Sequence, residues 1–264
     1  MMGFELKTKL AMAALFFAGS SLMLADNVTV VGASGNVWQN WTTSQLSNQT
    51  WSNSSPTRPY WDNSSWDGTN DNVGDCLALA SSGCKVSNQP GNISYLGQSN
   101  GKAYSDFYFN STGGGTVTMQ VQVAGDAAND VFGWYNINNQ NQYQVLFGGT
   151  TKPGSTVSFT PSAEYGFFFY NGTQGLDTLF LTDSNLSPSD EGIQHFAVFQ
   201  QTPGTYYIGM EDLPSRNTDF DFNDMVVKIS TASAPEPTSF LLLGSGLLGF
   251  GALRFRRKKN AQKN

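Results

Sequence analysis

From about residue 104 to residue 229, apolar and polar positions alternate in short runs. This two-residue period is that of strands with one face in a core. The clearest run is 116–123, where Val117, Met119, Val121 and Val123 fall on one face of an extended chain. Runs near 131–137, 142–147, 156–160, 165–170, 178–182, 195–200, 205–210 and 222–229 predict further strands, separated by turn-forming clusters such as Gly148-Gly149 and Pro203-Gly204. Many short strands joined by turns predict an all-β fold, an antiparallel β-sandwich of jelly-roll-like character. No stretch of the body keeps a helical period beyond a turn or two.

Residues 26–104 are less regular. Trp38, Trp41, Trp51, Trp61 and Trp66 stand among Asn, Ser and Thr, as anchors of a loop-rich β region. Exposed aromatics of this kind also stack on sugars, which makes a carbohydrate-binding module acting on exopolysaccharide the alternative reading. Cys76 and Cys84 enclose a short loop, and in an exported chain they are expected to form a disulfide worth roughly 2.5 kcal/mol. The pattern therefore divides the chain into 1–25, 26–104, 105–231 and 232–264.

The two ends differ in kind from the body. Lys7 and Lys9 precede an apolar run to Ala25, the polarity of a secretory signal peptide. Met23 is large for the −3 position if the cut follows Ala25. At the other end, Pro235-Glu236-Pro237 precedes the uncharged span 238–253 and the basic cluster 254–259, which includes Arg254, Arg256 and Arg257. As a helix the span covers about 24 Å, short of the ~30 Å hydrocarbon core, and the basic cluster would hold its C-terminal side in the cytoplasm. A single transmembrane sorting helix is expected there.

Charge changes the picture once the ends are set aside. Six basic residues lie between Asp26 and Thr231 against 18 acidic ones, a net charge of −12 for the body. That sign disfavours binding to nucleic-acid phosphates. Five of the carboxylates, Glu211, Asp212, Asp219, Asp221 and Asp224, fall with Asn223 within fourteen residues. Asp219, Asp221 and Asn223 alternate with Phe220 and Phe222, so an extended backbone would put oxygens on one face and rings on the other. Crowded carboxylates repel unless a cation neutralises them, Arg216 is the only basic residue nearby, and hard divalent cations take oxygen ligands, so Ca²⁺ is the expected ion. The spacing is not that of an EF-hand, because Asp224 stands where that loop needs Gly and Ser230 where it needs Glu. His195 is the only histidine, and no nucleophile elbow occurs in the body. No enzyme is expected; a glycosidase acting on envelope polysaccharide ranks third.

Two resemblances follow from these residues. The series Pro235-Glu236-Pro237, short Gly-containing span and Arg cluster resembles the PEP-CTERM sorting tail of Gram-negative bacteria, a tail also labelled an ice-binding protein C-terminal domain. It implies an exosortase-type processing partner, a transient stay in the inner membrane as an anchored precursor, and a destination at the cell surface or extracellular matrix. The order of Val131 to Tyr135, Gln194 to Phe199, Gly204 to Leu213 and Asp219 to Val227 is similar to a domain of unknown function found at the ends of bacterial secreted and adhesin-like proteins. That domain pairs Glu-Asp-Leu with a later Asp-x-Asp-x-Asn-Asp. Pro214-Ser215-Arg216-Asn217-Thr218 stands here in place of its usual Gly-rich connector. The resemblance implies a β-sandwich with a Ca²⁺ role and no catalytic activity.

Overall fold

The computed structural model describes residues 26–32, 38–41, 72–78, 84–96, 105–110, 113–125, 127–173, 178–186, 189–214, 217–218 and 220–231. The leader expected at 1–25 and the tail expected at 232–264, with Pro235, Glu236, Pro237, its apolar span and its basic cluster, lie outside the described residues. So do Asp219, Arg216, Trp51, Trp61 and Trp66. Among the described residues no helix is long and apolar enough to cross a membrane.

Residues 25–232 form one compact unit. Its strands are β1 (Val28–Val30), β2 (Trp38–Trp41), β3 (Ile93–Leu96), β4 (Phe107–Phe109), β5 (Gly115–Gln122), β6 (Asp130–Asn136), β7 (Asn139–Gly148), β8 (Thr156–Phe159), β9 (Tyr165–Asn171), β10 (Thr178–Leu181), β11 (Phe196–Thr202), β12 (Thr205–Met210) and β13 (Met225–Thr231). One sheet runs β1-β4-β9-β6-β7, with β10 sharing an edge of β9 with β4. The other runs β2-β3-β11-β12-β13-β5-β8. Every strand pairing is antiparallel. The fold is an all-β sandwich. Strands from 26–104 pair into both sheets alongside strands from 105–231.

Aromatic packing joins the layers. Phe109 of the first sheet meets Tyr206 of the second edge-to-face at 5.2 Å, and Phe159 of the second meets Tyr165 of the first at 5.4 Å. Phe132 stacks on Phe167 at 5.3 Å in the same core. Trp38 is half-buried, packs against this core and stacks near Tyr206 at 6.2 Å, so its ring serves packing. Full burial of such a side chain contributes on the order of 1.5–3 kcal/mol.

The second sheet is buried on both faces along its central strands β11 and β12. Along β11 and β12, Phe196, Val198, Tyr206, Ile208 and Met210 point into the sandwich, while Ala197, Phe199 and Tyr207 point outward into a second apolar cluster. That cluster is roofed by a short helix, α1 (Val73–Ala78), and by the segment carrying Cys84 and Val86. Asn72 caps α1 by accepting the Asp75 N–H at 3.1 Å.

The expected face of 116–123 is only half kept. Val117 and Met119 enter the sandwich core, but Val121 belongs to the outer cluster and Val123 is 45% exposed. The ladder explains this: Val227 pairs with Met119 and Val226 with Val121, so Gln120 is bulged out of register. One extra residue flips every later side chain to the opposite face. The last strand also starts later than expected, at Met225.

Cys76 and Cys84 are joined by a disulfide, with Cα atoms 4.7 Å apart, which ties α1 to the segment that follows it. Replacing both by Ser is expected to lower unfolding stability by roughly 2–3 kcal/mol, from the loop-entropy relation for so short a loop. Urea unfolding of the two proteins measures it; an unchanged midpoint would show that packing alone holds the roof.

Candidate metal centre

The acidic stretch is the connection from β12 to β13, and its backbone explains its shape. Phe220 and Phe222 both adopt the left-handed region, with φ of 59° and 56°. The expected extended alternation is therefore corrected: two left-handed residues break any strand before Met225. Phe222 is buried in the outer cluster and Phe220 packs partly against it, while Asp221 and Asn223 turn to the opposite side. The sorting of rings from oxygens survives through a coiled backbone. Left-handed conformation at a non-glycine costs on the order of 1–3 kcal/mol per residue, so surrounding contacts must hold it.

Several of those contacts are visible. The Asp221 carbonyl accepts the Val73 N–H at 2.8 Å, tying the connection to the start of α1. Gly209 in β12 leaves room for the crossing, since a Cβ there would overlap the Phe222 carbonyl and Val73. Asn223 makes an isolated parallel bridge with Met210. The Asp221 carboxylate accepts the Asn223 backbone N–H at 3.0 Å and its side-chain amide as well, closing a tight turn.

These constraints bring Glu211, Asp212 and Asp224 together. One carboxylate oxygen from each lies within 4.8 Å of the others, with Glu211 and Asp212 buried and Asp224 half-buried. The Asp212 N–H donates to Asp224 Oδ2 at 2.9 Å. The Asp224 carbonyl accepts from Val123 and Ala124 at 3.0 and 3.4 Å, and the Asn171 side chain donates to the Asp212 carbonyl at 3.1 Å. The oxygens border a cavity of about 310 Å³ that Asp221, Asn223 and Asn217 also line. Its described lining includes four carboxylates and no basic side chain. Asp221 and Asn223 thus share the cavity with the cluster, while Asp219 lies outside the described residues.

Sequence reasoning missed Asn171 and Asn217, and the wall formed by Val123 and Gly125. The Asn171-Gly172 pair reads as a turn, and nothing local says that it reaches a connection forty residues on. His195 touches the site through the Glu211 backbone. Its ring stacks on Phe180 with centroids 3.6 Å apart, Nε2 lies 2.8 Å from Asp190 Oδ2, and Nδ1 lies 3.3 Å from the Glu211 carbonyl.

Residues 126–232 match the family described as a domain of unknown function (DUF4114), and residues 233–258 match the PEP-CTERM protein-sorting motif. The chain carries a PEP-CTERM sorting tail. No curated protein and no solved structure matches it. The PEP-CTERM tail marks an exported protein with a membrane-anchored precursor and exosortase-type processing. The DUF4114 match spans β6 to β13 and holds all three clustered carboxylates, whereas Val123 and Gly125 precede it.

Electrostatics within the acidic cluster are adverse without a counter-ion. Burial first, then the charges of Glu211, Asp212 and Asp221, push the Asp224 carboxyl well above the usual carboxylate range, against the opposing Asp212 N–H. An acid whose folded pKa is raised adds stability that is full below its unfolded pKa of about 3.9 and is lost as pH rises through the folded value. His195 works the other way: burial lowers its pKa, so its contribution is lost as pH falls. The difference between wild type and Asp224→Asn isolates the acid. In chelator the variant should melt above wild type at pH 7.5, and the gap should close as pH falls toward 4. A constant gap across that range would contradict the shift.

Proposed function

We propose that the body of this exported protein is a Ca²⁺-binding module that works at the cell surface or in the extracellular matrix. The observation supporting the ion is the approach of the Glu211, Asp212 and Asp224 oxygens to within 4.8 Å. Calcium–oxygen distances of about 2.3–2.6 Å let ligands on opposite sides of one ion stand about 4.8 Å apart, so these three oxygens fit a shared ion. The donor set is all oxygen, as a hard cation requires, and the cavity leaves room for further ligands such as Asp221, Asn217 or water. Asn223, whose amide is turned to Asp221, would help by shaping the loop.

A bound Ca²⁺ would supply positive charge where the fold concentrates negative charge. It would hold the β12–β13 connection against its left-handed strain by tying the start of that connection, at Glu211 and Asp212, to its end, at Asp224. The role is structural and regulatory, a surface domain firm in calcium and loose without it.

Extracellular modules bind calcium with dissociation constants of about 10⁻⁴–10⁻³ M. At ~100 times that value, binding to the folded state alone adds about 2.7 kcal/mol, or roughly 5–10 °C in melting temperature for a domain of this size. Melting curves in calcium and in chelator should show this shift for wild type and little of it for Glu211→Gln or Asp224→Asn. Identical wild-type curves in the two buffers would sink the reading.

A further inference from the structure

Asp26, the first of the described residues, is also one of the most enclosed polar groups among them. Asp26 is 1% exposed. Its Oδ2 accepts the Tyr165 hydroxyl at 2.7 Å and the Gly114 N–H at 3.0 Å, and its backbone carbonyl accepts the Tyr206 hydroxyl at 3.1 Å. Tyr165 and Tyr206 are both members of the aromatic core. Asp26 Oδ1, equally buried, has no hydrogen-bond partner among the described residues. The chain that follows is held in the first sheet: the Asn27 carbonyl accepts the Asn110 N–H at 3.0 Å, and β1 pairs with β4.

A buried carboxylate with an unused oxygen needs a cation or a donor beside it. We propose that hydrolysis of the Ala25–Asp26 bond makes Asp26 the first residue of the mature chain, and that the new α-ammonium pairs with the Asp26 carboxylate inside the sandwich. Water adds across the amide: Ala25 leaves with a carboxylate, and Asp26 keeps an amine that takes up a proton. A membrane-bound leader peptidase of the export route is the class of enzyme that cuts there. If Ala25 stays attached, the same nitrogen is a neutral amide and brings no charge to Oδ1. A later cut removes the contacts to Tyr165, Tyr206 and Gly114, and an earlier one leaves Asp26 with a neutral amide nitrogen. Met23 weakens the signal on the leader side of the bond; the argument comes from the folded side.

The test uses full-length protein exported by a Gram-negative host. Terminal-peptide mass spectrometry should find Asp26 first; another first residue or a retained leader overturns the proposal. The pair itself is read by acetylation of the α-amine at pH 7 with an N-hydroxysuccinimide ester. A carboxylate that raises the amine pKa by one unit lowers the reactive free amine about tenfold. Acetylation should therefore be at least about tenfold slower in the folded protein than in urea, with protection lost in Asp26→Asn. Should that variant not fold, the comparison of folded and urea-unfolded wild type decides: equal rates overturn the ion pair.

Discussion

Glu211, Asp212 and Asp224 repel one another, and the fold forces them together nonetheless. Backbone hydrogen bonds do the forcing, through the Asp212 N–H to Asp224, the Asp224 carbonyl to the end of β5, and the Asn171 amide to the Asp212 carbonyl. Both ends of the connection are fixed by the register of β12 on β13, which leaves the carboxylates no route apart. The Asp212 N–H offsets part of this repulsion, and a proton on Asp224 offsets more. The raised pKa of Asp224 reflects its burial and this crowding.

The sandwich is what makes the constraint affordable. A sheet with both faces covered resists bending, and β11, β12 and β13 lie between the aromatic core and the roof of α1 with its disulfide. The β12–β13 connection lies against that roof, with Phe222 packed beneath it and the Asp221 carbonyl bonded to Val73. Ring burial on one side thus positions carboxylates on the other. A PEP-CTERM tail marks this body for export from the cytoplasm.

Much of this was legible in the sequence because it rests on local pattern. The strands from β5 to β12 follow runs whose apolar periodicity or turn-forming flanks are visible by eye, and the acidic stretch announces itself by composition. What was not legible depends on pairing or on backbone conformation. Nothing in 116–123 signals that Gln120 will bulge and send Val121 to the opposite face, because the cause is its register with Val226 and Val227. Phe220 and Phe222 look like strand residues and adopt left-handed turns, since contacts with α1 and Gly209 outweigh their propensity. The entry of β1, β2 and β3 into both sheets could not be read from segments so short and so poor in alternation. Asn171 reaches the site only through three-dimensional packing.

The central claim is that a divalent cation sits among the Glu211, Asp212 and Asp224 oxygens. Crystals of the exported body grown in calcium, with Mn²⁺ substituted in a parallel set for its anomalous signal, address it directly. The account predicts an anomalous peak within coordination distance of all three carboxylates, at the position calcium takes in the native crystals. A clean map with no peak there, at ion concentrations well above millimolar, would contradict it.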